Sequence, residues 1–114
     1  MELQELAARI DGTILNPAAA GRGRVDRVYA GSRMSDLLRE ASDGTLVMTH
    51  LANDMVIRAA GLVDVPGICF VDGATPTPAM VAAAASQGTA ILSCPHSLDK
   101  ALQSLRDCLP GGAA

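Results

Sequence analysis

The stretch that decides the fold is residues 66–93, PGICFVDGATPTPAMVAAAASQGTAILS. Pro66-Gly-Ile-Cys-Phe-Val71 is a short apolar run followed by the turn pair Asp72-Gly73, the pattern of a strand buried on both faces. Pro76 to Gln87 is rich in alanine, the best helix former, and Gly88 closes it. Thr89-Ala-Ile-Leu-Ser93 is a second apolar run of strand length. Strand, helix and strand in that order make a β-α-β unit, whose parallel strands require a crossover helix of one hand.

Working outward, the same alternation extends in both directions. Thr45-Leu-Val-Met-Thr49 predicts another buried strand, and Asn53 or Asp54 caps a helix running through Met55, Val56, Ala59 and Ala60 to Gly61. Val25 to Ala30 predicts a strand, followed after Gly31 by a helix with Met34, Leu37, Leu38 and Ala41 on one stripe, Ser32 or Ser35 as its cap and Asp43-Gly44 as its stop. Leu3, Leu6, Ala7 and Ile10 share one face of an opening helix that ends at Asp11-Gly12, and a brief strand follows at Thr13 to Leu15. Residues 16–24 carry Pro17, Gly21 and Gly23 without any period and predict a loop. After Thr89–Ser93, Ser97 caps a last helix with Leu98, Leu102, Leu105 and Leu109 in register. The expected architecture is one α/β domain over residues 1–110, a mostly parallel sheet of about five strands flanked by helices, with 111–114 a disordered tail.

Composition narrows the function. The 114 residues are 49% hydrophobic, yet Trp is absent and Tyr29 and Phe70 are the only aromatics, so base stacking is hardly available. A net charge of −3 and a pI near 5.1 argue against a polyphosphate partner, because non-specific nucleic-acid affinity comes largely from Lys and Arg. Arg22, Arg24, Arg27 and Arg33 do fall close together with only Asp26 among them, as a solvated loop or as a receiver for an anionic ligand or acidic partner. No run approaches the roughly 20 apolar residues of a membrane span, and the acidic start MELQELAARIDG lacks the basic and apolar regions of a secretory signal, so a cytoplasmic address is expected. Cys69, Cys94 and Cys108 are widely spaced without a C-x-x-C and predict reduced thiols, the first two buried.

Candidate chemistry gathers where the strands end. In open α/β sheets ligands settle beyond the carboxyl ends of the strands, among loops and helix N-termini able to hold an anion. That surface comprises Gly31, Ser32, Arg33, Thr49, His50, Asp72, Gly73, His96 and Ser97, residue types that ordinary turns and caps also use. His50 and His96, the only histidines, each follow a strand and can be neighbours acting as proton carriers. Cys94 and His96 lack the usual spacing of zinc ligands, so no metal and no cofactor is expected. There is no G-x-S-x-G elbow and no G-x-x-x-x-G-K-[ST] phosphate loop, while Gly21-Arg-Gly23-Arg-Val-Asp26 has its glycines before a strand and lacks the third.

Several strings together resemble a known family. Val28-Tyr-Ala-Gly31 with Met34-Ser-Asp-Leu-Leu38, Gly44-Thr-Leu-Val-Met-Thr49, Pro66-Gly-Ile-Cys-Phe-Val-Asp-Gly73, Pro76-Thr-Pro78 and Ile91-Leu-Ser-Cys-Pro95 resemble the DRTGG domain over nearly the whole chain. The layout is similar to the N-terminal domain of HPr kinase/phosphorylase and, more distantly, to the Mur ligase N-terminal fold. The string that names the family is absent, and Cys94 stands where Thr is common. The resemblance implies a regulatory module of a type attached to kinases, phosphotransacetylases or CBS-domain proteins, without the kinase's catalytic domain. The expected function is therefore non-catalytic sensing of a small anionic metabolite, or docking of a protein partner, in a homodimer that covers an apolar sheet edge or helix face. A small transferase or hydrolase using His50 or His96 and a structural subunit of a larger complex are the alternatives.

Overall fold

A computed structural model of the chain describes residues 2–16, 24–31, 38–39 and 44–106. Helix α1 (Leu3–Arg9) leads into β1 (Thr13–Ile14), and β2 (Arg27–Ala30) and β3 (Thr45–Thr49) follow. Then come α2 (Asp54–Val63), β4 (Gly67–Phe70), α3 (Pro78–Ser86), β5 (Ala90–Ser93) and α4 (Leu98–Arg106). The five strands form one sheet in the order β1-β5-β4-β3-β2. The pairs from β2 to β5 are parallel, and β1 runs antiparallel along β5 with Thr13 opposite Ser93.

Side-chain alternation along the central strands makes two cores. Val28, Leu46, Met48, Cys69, Ala90 and Leu92 pack with Leu3, Leu6, Ile10, Ala101 and Leu105 of α1 and α4 on one face. Tyr29, Val47, Ile68, Phe70 and Ile91 pack with Val56, Ile57, Ala60, Met80 and Ala84 of α2 and α3 on the other. All of β3 and β4 is buried, which is why both read as unbroken apolar runs. Neighbouring strands follow in sequence from β2 to β5, so right-handed crossovers must lay α2 and α3 on the same side. Each fully buried Leu or Ile of these cores contributes about 2 kcal/mol.

The sequence reading places most elements and misjudges several of their ends. The first strand stops at Ile14, with Leu15 half-exposed, and the second begins at Arg27 instead of Val25. The α3 helix starts at Pro78, not Pro76, because Thr77 is extended, as a residue before proline must be, and its Oγ1 accepts the Met80 N–H at 3.2 Å. In α2 the cap is Asn53, whose Oδ1 accepts the Val56 N–H at 3.1 Å, and the helix runs past Gly61 to Val63. It ends at Asp64 in the left-handed region (φ 56°). The fourth and fifth strands are shorter than expected, Gly67–Phe70 and Ala90–Ser93. Of the helix expected after Gly31, Leu38 and Arg39 are helical, and Met34, Leu37, Ala41 and the proposed caps lie outside the described residues, as do 107–114.

The open side of β5 is closed by more than β1. Asn16 is buried, its Nδ2 donates to Thr89 O at 3.0 Å, and its Oδ1 accepts the Ile91 N–H at 2.7 Å. A side-chain amide thus continues the ladder where the two-residue strand β1 stops, after Leu15 N–H has bonded Ile91 O.

Candidate functional site

Because β2 to β5 are parallel, their carboxyl ends lie together and the turns that follow form one rim. Gly31 leaves β2 with its N–H bonded to Met48 O at 3.1 Å. Thr49 is buried at the end of β3, its Oγ1 accepting the Leu51 N–H at 3.1 Å, and His50 beyond it is exposed. Asp72 and Gly73 follow β4 with φ of 59° and 72°, and Ala74 N–H reaches back to Val71 O at 3.0 Å. Two successive positive φ values closed by that bond make a type I′ turn, the conformation for which Asp-Gly is favoured. After β5, Ser97 caps α4 as expected, its Oγ accepting the Lys100 N–H at 3.3 Å.

The turns after β4 and β5 are bonded to each other. Asp72 N–H donates to His96 O at 2.8 Å, and Gly73 N–H to Cys94 O at 3.4 Å. These two amides are therefore satisfied by the neighbouring loop. The rim's polar surface is left to side chains: His50, Asp72, Thr75 and Ser97 are exposed, and His96 is partly so.

The histidines are not adjacent, since β4 lies between the strands that carry them. His96 meets Asp11, with Nε2 and Oδ2 at 2.9 Å, so the turn after α1 reaches the same rim. Asp11 was not legible as a site residue because nothing local shows that β1 lies along β5; its Asp-Gly pair signalled only a turn, which its φ of 55° bears out. Ser32 and Arg33 lie outside the described residues, as do Arg22, Gly21 and Gly23. The backbone of Arg24 pairs with that of Glu2 in an isolated antiparallel bridge, and Arg27 opposes Thr45, the first residue of β3, with Asp26 at 3.6 Å from its Nε. Arg24 and Arg27 therefore sit at the amino end of the sheet, across from the rim, and do not join Gly31 in one basic surface.

Beneath the rim lie two free, buried thiols, as the composition suggested. Cys94 Sγ donates to Ile10 O at 3.2 Å. A hydrogen bond from Cys69 holds the Cys94 thiol down to about 6, against the effect of burial and with help from the His96 backbone N–H. The same thiol pairing, and then burial, holds Cys69 well above the ordinary thiol value. Among the described residues no group of three or more His, Cys, Asp or Glu is placed to hold a metal ion, and no helix is long and apolar enough to cross a membrane.

No family model and no curated protein matches the chain. Among solved structures, a chain comprising the CBS and DRTGG domains of the regulatory region of a Clostridium perfringens pyrophosphatase superposes with a TM-score of 0.72 at 14% identity. The fold is DRTGG-like. The match covers 96% of this chain and 47% of that one, so this chain spans about half the other's length. That regulatory region was crystallised with its activator, diadenosine tetraphosphate. The likeness bears out the fold that the strings from Val28 to Pro95 implied.

Proposed function

We propose that this chain is a non-catalytic DRTGG-like regulatory domain that binds a small anionic ligand on the rim that carries Gly31, Thr49, His50, Asp72, Gly73, His96 and Ser97, with Ser32 and Arg33 as further candidates from the sequence alone. The observation that carries the reading is the shared fold with a regulatory region that binds a nucleotide activator. The rim adds chemical support, because the N-termini of α2, α3 and α4, capped by Asn53, Thr77 and Ser97, follow the carboxyl ends of β3, β4 and β5, and His50 and His96 follow the first and last of these. Adenine nucleotides are the first class to test. Isothermal titration with mono-, di- and dinucleoside polyphosphates should show saturable binding that His96→Ala weakens at least several-fold. Absence of heat and of any thermal stabilisation across that series would remove the ligand-sensing reading.

A second reading, docking of a protein partner or of a second copy, is favoured by a groove of about 210 Å³ lined by Leu38, Met55, Arg58, Ala59 and Leu62. Met55 and Leu62 are 61% and 79% exposed there, unusual for large apolar side chains. Sedimentation of the full chain and of a Met55→Glu, Leu62→Glu variant discriminates, since a homodimer through this face dissociates in the variant. The enzymatic alternative requires turnover that His50→Ala or His96→Ala abolishes. The address we propose is cytoplasmic, a compartment that keeps thiols such as Cys69 and Cys94 reduced.

A further inference from the structure

We propose that Cys69 and Cys94 are a hydroperoxide-sensitive dithiol that closes reversibly to a disulfide tying the ends of β4 and β5 together beneath the rim. The register pairs Cys69 with Leu92, so Cys94, two residues further on, projects from the same sheet face as a diagonal neighbour of Cys69. Both side chains belong to the core between the sheet and helices α1 and α4. Diagonal neighbours have Cα atoms about 7–8 Å apart, against an upper limit of about 6.8 Å for a disulfide, so closure requires the two strand ends to draw together. Cys94 lies beyond the last residue of β5; its N–H still bonds Phe70 O at 2.8 Å, whereas its carbonyl holds the Gly73 N–H only at 3.4 Å, so the movement falls on the second contact.

Access follows from what covers Cys94. Its sulfur lies against Ile10 O, the C-cap of α1, a helix of seven residues. The sulfur is uncovered when this end of the helix opens locally, which the burial of Leu6 and Ile10 keeps to a minor population and which therefore limits the rate of oxidation. The same opening breaks the bond from the Cys94 thiol to Ile10 O, and with its value held down to about 6 the freed thiol ionises to the thiolate, the form that reacts.

The oxidant is a hydroperoxide. The Cys94 thiolate attacks its terminal oxygen, an S–O bond forms as the O–O bond breaks, and the departing oxygen takes a proton to leave as water or an alcohol. Cys69 then loses its proton and attacks the sulfenic sulfur; the S–S bond forms, the S–O bond breaks and water leaves. Two thiols have given up two electrons and the hydroperoxide has accepted them. The strand ends that move carry Asp72-Gly73 and His96-Ser97, so oxidation changes affinity at the rim; that consequence rests on the proposed ligand site, whereas the disulfide does not.

The test uses the full chain with Cys108→Ser, which removes the third thiol. Hydrogen peroxide should cost the protein two hydrogen masses, and a non-reducing peptide map should join the Cys69 and Cys94 peptides, with dithiothreitol reversing both. In Cys69→Ser, Cys108→Ser the sulfenic acid on Cys94 persists and is trapped by dimedone; should that variant fail to fold, the map of Cys108→Ser alone decides. Two free thiols under conditions that oxidise the urea-unfolded chain, or an oxidised Cys94 never joined to Cys69, overturns the proposal.

Discussion

Gly61 leaves its side-chain position to the amide of Gln87. A Cβ on Gly61 would stand 2.7 Å from Gln87 Oε1 and 3.1 Å from Nε2. That amide is committed elsewhere, since Nε2 donates to Ile57 O at 2.8 Å and to Thr89 Oγ1 at 3.2 Å. One glycine thus lets the end of α3 clamp the middle of α2.

The clamp yields a sign reversal. In a helix interior Gly→Ala should stabilise by about 1 kcal/mol, but Gly61→Ala displaces an amide whose bonds contribute about 1–3 kcal/mol. We expect net destabilisation of about 1 kcal/mol in the wild-type background and net stabilisation of similar size when Gln87 is already Ala. Urea denaturation of the four members of that double-mutant cycle measures it; additive effects would refute the clamp.

Asn16→Ala should cost about 2 kcal/mol, because it leaves the buried Ile91 N–H and Thr89 O without the amide that serves them. Asn16→Asp keeps the acceptor and loses the donor, so its loss should differ in place. Hydrogen exchange at Ile91 should speed up strongly in the Ala variant and much less in the Asp variant.

Gly73→Ala isolates backbone strain from packing. A Cβ there meets nothing within 4 Å, yet φ is 72°, so the expected loss of about 1–2 kcal/mol is conformational. The adjacent Asp72→Gly relieves a similar constraint at φ 59° and should be neutral or stabilising. Thermal unfolding of the two variants, opposite in sign, separates this account from one in which the turn is merely mobile.

The thiol of Cys94 makes stability depend on pH in a defined window. Its native value of about 6 lies below that of a free thiol, about 8.5. For a group depressed in the native state the stabilisation is complete above the unfolded value and is lost as pH falls toward the native one. Stability of the wild type relative to Cys94→Ala should therefore decline as pH falls from about 8.5 to about 6. Thiolate absorbance in the ultraviolet should titrate with a midpoint near 6 in the folded protein and move upward in Cys69→Ala; a midpoint unmoved by that change would dismiss Cys69 as its cause.

The amino-acid order by itself determined the alternation of short apolar strands with helices, since a strand covered on both faces must be apolar throughout and its parallel partner must be reached through a helix. It also determined the Ser97 cap and the Asp72-Gly73 turn, which are settled by residues within four positions of one another, and narrowed the cap of α2 to Asn53 or Asp54, of which the structure uses Asn53. Tertiary structure alone decided that β1 turns back along β5, bringing Asp11 to His96, and that Gly61 is a contact where a stop had been expected. It also separated Arg24 and Arg27 from the rim and set Cys94 diagonally against Cys69. Those relations depend on strand order and on packing between residues far apart in the chain, and neither leaves a periodicity that neighbouring residues can display.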